Sequence, residues 1–140
     1  MKVFVDANVL VAVLNRQYPL YAHAARILSL ADSSKYKVFT SPICLAIAFY
    51  FAEKKSGTQK AAEKISILSH KLQIATADVS VVKKTVANPA INDFEDGLEY
   101  YSALLAGCQI IVTEDVTDFY FSEIPVYDCR AFVRYVLENS

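Results

Sequence analysis

Along this chain, short runs of β-branched and aromatic residues alternate with longer stretches in which apolar residues return every three or four positions. The first pattern predicts strands and the second predicts helices buried along one face. Lys2 to Val5 opens with a strand, Asp6-Ala7-Asn8 interrupts it, and Val9 to Leu14 resumes as a helix. Tyr21 to Ala31 places Ala24, Ile27, Leu28 and Ala31 on one helical face, and Tyr36 to Thr40 is a second strand. Ser41-Pro42 fits a helix start, with serine as cap and proline at the first helical position, where its missing N–H costs nothing. That helix runs from Ile43 to about Lys54 and ends at Lys55-Ser56-Gly57. A further helix opens at Thr58 or Gln59 and carries Ile65, Leu68 and Leu72. Gln73 to Thr76 reads as a third strand, and Ser80 to Val86 as a short helix stopped before Pro89. Phe94 to Ala106 is helical, with Asp93 at its entrance and Gly107 where a left-handed cap residue is expected. Ile110 to Thr113 is a fourth strand, Pro125 to Tyr127 a fifth, and Arg130 to Leu137 the closing helix.

Strands separated by helices predict an α/β fold: a central, mostly parallel sheet of four or five strands between two helical layers. Residues 1–140 read as a single domain, with no repeat, linker or low-complexity segment. In such sheets ligands gather outside the carboxyl ends of the strands. The acids of this chain cluster at those ends. Asp6 follows Val3-Phe4-Val5 directly, where it can enter the crevice or cap the next helix. Asn8 can brace Asp6 or cap the same helix. Asp93, Asp96 and Glu99 lie three apart, so Asp96 and Glu99 share a helix face. A helix dipole accounts well for Asp93, less well for Asp96 and poorly for Glu99. Thr113-Glu114-Asp115-Val116-Thr117-Asp118-Phe119 closes the fourth strand with three acids, and Phe119 and Phe121 pin that loop against the core. Carboxylates gathered in this way suit a hard divalent cation.

Composition narrows the chemistry further. The formal charge of −1 argues against broad electrostatic steering onto nucleic acid and leaves only local strips, Lys54-Lys55 with Lys60 and Lys64, or Lys83-Lys84. Apolar residues make up 54% of the chain, which fits an additional apolar contact such as a homodimer interface. Cys44, Cys108 and Cys129 are odd in number and widely spaced, so they read as small core residues and not a disulfide framework. His23 and His70 have no partner at zinc spacing. No stretch reaches the roughly 18 uninterrupted apolar residues of a membrane span, and the expected location is cytoplasmic and reducing.

The segments VFVDANVLV, SPICLAIAFYFAEKK, NDFEDGLEYYSALLAGCQIIVTEDVTDF and IPVYDCRAFVRYV together resemble a PIN domain, across essentially the whole chain. The resemblance is to the prokaryotic branch that includes toxins of toxin–antitoxin pairs. It implies a PIN-like three-layer α/β/α sandwich and an endoribonuclease dependent on Mg2+ or Mn2+, acting on single-stranded or structured RNA, with an antitoxin protein as partner. The family's first acid matches Asp6, its third Asp96, and its fourth the loop carrying Asp115 and Asp118. Asp93 is accessory, and Thr113 stands where a hydroxyl supports the cluster. The second acid, a glutamate about six residues after the serine that opens its helix, is replaced by Ile47, which cannot ligate a metal. The alternative is therefore a PIN-fold protein with reduced or lost catalysis that binds RNA or protein. A phosphatase of the haloacid-dehalogenase type also uses strand-end aspartates, but it requires a second one two residues after Asp6, where this chain has Asn8.

Overall fold

The computed structural model describes residues 1–140. Its elements are β1 (Lys2–Val5), α1 (Ala7–Leu14), α2 (Tyr21–Ser29), β2 (Lys37–Thr40), α3 (Pro42–Ser56), α4 (Thr58–Lys71), β3 (Gln73–Ile74), α5 (Val79–Ala87), α6 (Phe94–Leu105), β4 (Ile110–Val112), β5 (Val126–Tyr127) and α7 (Cys129–Glu138). Short 3-10 turns extend α2 over Leu30–Asp32 and follow β4 over Val116–Phe119.

The sheet has five strands in the order β3-β2-β1-β4-β5, and every neighbouring pair is parallel. β1 lies at the centre, with Val3 opposite Val38 on one side and Ile110 on the other. Val3, Phe4 and Val5 are wholly buried, as expected of a strand covered on both faces. Helix packing joins α1 to α2 and α3, α3 to α4, and α2 to α7, whereas α5 packs chiefly on α6. Right-handed crossovers set these two groups on opposite faces, because the chain moves outward from β1 to β3 and then returns past β1 to β4.

Several element starts differ from the sequence expectation by a residue or two, each for a local reason. Asp6 accepts from the Ala7 amide at 2.6 Å, so the polar trio begins α1 and does not separate it from β1. Asp78 accepts from Val81 N at 3.1 Å and starts α5 at Val79. Asp128 accepts from Ala131 N at 2.8 Å and starts α7 at Cys129. Ser41 does cap α3, accepting from Cys44 N at 3.1 Å, and Gly107 has φ +82° after α6. No helix is long and apolar enough to cross a membrane.

The strand order reverses at β1 and β4, whose outgoing connections diverge. That switch point leaves a crevice at the carboxyl ends of the two strands.

Candidate metal centre

Asp6 stands at this crevice and is almost fully buried, 6% exposed. Its backbone N–H donates to Val112 O at 3.0 Å, which ties the end of β1 to the end of β4. Its side chain is fixed at both oxygens. Oδ1 accepts from Ala7 N, and Oδ2 accepts from Thr113 Oγ1 at 2.8 Å. Thr113 is the junction of the site, because the same Oγ1 accepts from Asn8 Nδ2 at 3.1 Å and from Asp115 N at 3.0 Å. Asn8 in turn donates to Asp115 Oδ2 at 3.2 Å and accepts from Glu114 N at 3.2 Å. Asn8 neither caps α1 nor bonds Asp6 directly: its amide links α1 to the loop after β4 and reaches Asp6 only through Thr113.

α6 supplies the opposite wall. Asp93 caps it by accepting from Asp96 N at 3.0 Å, which leaves Asp93 exposed at the rim and commits one of its oxygens to the backbone. Gly97 brings α6 close to α5; a Cβ there would stand 2.5 Å from Thr85 Cγ2 and 2.9 Å from Ile91 Cγ2. One turn after Asp96, Glu99 is buried to 1% exposure. Its Oε1 accepts from the Cys44 thiol at 2.9 Å, and the same Sγ stands 3.8 Å from Asp6 Oδ1. Ligand atoms of Asp6, Cys44 and Glu99 all lie within 4.8 Å of one another.

The result is an open cavity of about 340 Å³ whose lining includes Asp6, Asn8, Asp96, Glu99 and Asp115. Ile47 and Phe51 form its apolar side, so the position lacking an acid borders the cluster. Asp118 does not line the cavity. The 3-10 turn carries it outward, though its charge still acts on Asp96. Glu114 is diverted altogether, because its Oε2 accepts from Cys129 N at 2.8 Å and serves the start of α7. The loop is pinned as its aromatics imply: Phe119 is buried, and Phe121 meets Tyr100 of α6 edge-on at 5.2 Å.

Electrostatics set this cavity apart from the rest of the molecule. The chain's single ion pair, Lys71 with Asp32 at 3.3 Å, lies elsewhere, so no basic side chain compensates the clustered acids. Burial, and then the charges of Asp93, Asp6, Asp118 and Glu95, push the Asp96 carboxyl up to about 7. Glu99 is pushed up to about 11 by burial and by its hydrogen bond to Asp6 and that residue's charge. Burial, followed by the charges of Glu99 and Asp6, raises the Cys44 thiol well above its usual range, which keeps it a hydrogen donor. Glu95 at the rim is raised by burial and by Asp93 and Asp6. Oxygen donors with uncompensated negative charge are what a hard divalent cation requires, and this donor set fits one.

Cys44 is the residue that sequence reasoning did not bring to the site, and Glu99, placed there on the face of Asp96, is not among the ligands that the resemblance implies. The three-residue step from Asp96 carried the signal for Glu99. Cys44 is a core residue as expected, but its place one turn before Ile47 also turns its thiol toward the acids. Cys108 and Cys129 are buried and unpaired, His23 is half-buried, and His70 is exposed.

A ribonuclease VapC1 from Aquifex aeolicus is 26% identical over 135 residues, covering 94% of this chain and 92% of the relative. Among solved structures, DNA-bound VapBC from Salmonella typhimurium superposes with a TM-score of 0.67 at 18% identity, covering 92% of this chain and 98% of that one. VapBC2 from Rickettsia felis, bound to a fragment of its promoter, gives 0.66 at 18% identity, with 91% and 98% covered. Mycobacterium tuberculosis VapC20, described as a toxin that cleaves the sarcin–ricin loop, gives 0.61 at 18% identity, with 78% and 86% covered. These superpositions establish a shared fold. The model of the PIN domain matches residues 2–117, which span β1 through the turn after β4 and include Asp6, Asp96, Glu99, Thr113 and Asp115, and this chain belongs to the PIN domain family.

Proposed function

We propose that this protein is a divalent-metal-dependent endoribonuclease that hydrolyses RNA phosphodiester bonds and acts as the toxin of a toxin–antitoxin pair. The observation that carries the reading is the uncompensated acidic cavity at the switch point of a PIN-family sheet. Mg2+ or Mn2+ fits the oxygen donors, and Asp6, Asp96 and Asp115, which line the cavity, are its ligands in this reading, with Asp118 within electrostatic reach. When bound, such a cation lowers the pKa of water and offsets charge gathering on phosphoryl oxygens.

The chain's own residues prepare the site for that chemistry. Thr113 and the Ala7 amide hold Asp6 in one orientation, and Asn8 holds Asp115, so neither carboxylate needs to reorganise when RNA arrives. Ile47 and Phe51 give the cavity one apolar side beside these acids. The solved neighbours support a protein antitoxin as partner, since chains of this fold occur in VapBC complexes. The high apolar fraction supports a homodimer.

Ile47 in the cavity wall favours a second reading, a PIN-fold module that binds RNA without efficient cleavage. The deciding experiment incubates single-stranded and structured RNA with purified protein, in Mn2+ and in chelator, beside Asp96→Asn. The expected result is metal-dependent cleavage that the substitution abolishes. A salt-sensitive mobility shift with RNA left intact by the wild type would establish the second reading instead. Equal cleavage by both proteins would place the site elsewhere.

A further inference from the structure

α3 turns Cys44, Ile47 and Phe51 toward the cavity at steps of three and four, and α6 answers with Asp96 and Glu99 three apart. The two helices therefore meet across the site, and one turn separates the thiol on α3 from the isoleucine where an acid is lacking. Glu99 is both buried and part of the cavity lining. Nothing in the packing asks for a carboxylate at that place. Its side-chain partners are a thiol, which is a weak donor, and Asp6, which is another acid. No cation lies within ion-pair distance of it. A buried carboxylate so poorly compensated works against the folded state, and residues of that kind belong to sites that await a ligand.

We propose that Glu99, steadied by the Cys44 thiol, supplies from α6 the carboxylate that α3 lacks at Ile47, so that the metal pocket is completed from a different helix. The inference rests on the metal-centre reading above and deepens it. Glu99 is an inner-wall ligand in this arrangement. Cys44 is a positioning residue, which holds Glu99 Oε1 in place at the cavity wall.

Glutamine separates this role from a merely structural one. Its amide keeps the size of Glu99, donates to Asp6 and accepts from Cys44 as the protonated acid does, so packing survives while the ability to become a carboxylate on binding a cation is lost. The experiment titrates MnCl2 by calorimetry into wild type, Glu99→Gln, Cys44→Ala, Cys44→Ser and the double variant Glu99→Gln/Ile47→Glu. Thermal unfolding is followed with and without Mn2+. Glu99→Gln is expected to keep its metal-free Tm and lose about tenfold or more in Mn2+ affinity. Cys44→Ala is expected to lose up to about tenfold, which serine in part restores because it returns the donor. The double variant is expected to recover affinity, because a carboxylate returns at the helix where α3 can present it. Should Glu99→Gln fail to fold, Glu99→Asp serves the same comparison by retracting the charge one methylene, with weakened affinity expected.

Folded Glu99→Gln (or Glu99→Asp) with Mn2+ affinity within about twofold of wild type would overturn the proposal, since a change that small is under half of the 1.4 kcal/mol that a tenfold loss represents. A weakened single variant that Ile47→Glu does not rescue would overturn the substitution of one helix for the other. A wild-type protein that binds no Mn2+ would remove the metal-centre reading itself, a result that the variants alone could not produce.

Discussion

At the amino end of α1, Asp6 accepts from the first amide of the helix and sits among Asp96, Glu99 and Asp115 with no basic side chain at hand. At the carboxyl end, Lys64 Nζ donates to Leu14 O at 2.9 Å, and Lys55 Nζ donates to Asn15 O. Both placements agree with the helix dipole, which favours anions at the first turn and cations at the last. They differ in what is left over. The lysines from α3 and α4 donate to orphan carbonyls, so the charge at that end meets backbone partners within the fold. The carboxylates outnumber the donors that meet them and face an open cavity. Charge consumed by the backbone stabilises, whereas charge left unspent marks the place where something else must bind.

The sharpest way to break this comparison is to disturb the frame of the open end without touching an acid. Gly97→Val would press a side chain into Thr85 and Ile91 and push α6 away from α5. The expected cost is about 1–3 kcal/mol of stability, the usual range for overpacking, together with weakened Mn2+ affinity. Denaturant unfolding with metal titration checks both. Full affinity in the destabilised variant would show that the acids do not depend on the seating of α6.

Acidity provides a gentler probe. In the metal-free protein Asp96 is raised from its ordinary 3.8 to about 7, so across that interval the folded chain holds a proton that the unfolded chain has released. The stability this proton contributes is fully present below about pH 4 and is lost as pH rises through 7. Metal-free Tm is therefore expected to fall over that window, and the Tm gain from Mn2+ to grow over it. The change should be about a few degrees, reduced because Asp96 is only partly buried. Scanning fluorimetry at pH 5, 6, 7 and 8, with Mn2+ and with chelator, measures it. A metal-induced gain that is flat with pH would detach Asp96 from the metal.

The lysine-capped end should respond least. Lys64→Met keeps most of the side chain's apolar length and removes its donor, at an expected cost of about 0.3–1 kcal/mol with Mn2+ affinity unchanged. A change in metal affinity in this variant would mean that the two ends of α1 are not independent.

The difference between the two ends also governed what could be read from sequence. The helices, the Ser41-Pro42 start and the turn at Gly107 were legible because local chemistry fixes them. The sequence placed acids at the tips of β1 and β4 and at the start of α6 for the same reason, since strand ends and first turns are visible in the pattern of apolar runs. What local pattern could not show was which acids the fold would divert. Glu114 goes to the Cys129 amide 15 residues away, and Asp118 is turned outward by a 3-10 segment that no periodicity announces. Glu99 was legible as a neighbour of Asp96 on one helix face, but its depth was not. Its burial depends on Cys44, 55 residues earlier, and on the approach of α3 to α6.

The hydrogen bond from Thr113 to Asp6 joins residues 107 positions apart. At roughly 5–20 residues per second of synthesis, Asp6 waits about 5–20 s before its partner exists. β1 can pair with β2 early, but its other edge stays open until β4 has been made. The oxygen that fixes Asp6, the Asn8 brace and the Asp115 wall all arrive with that last central pairing. A nascent or truncated chain that stops before β4 has Asp6, Asp96 and Glu99 but neither Thr113 nor Asp115 to complete the cluster. The order of strands in this sheet thus makes the acidic centre a late product, assembled only after β4 has been synthesised.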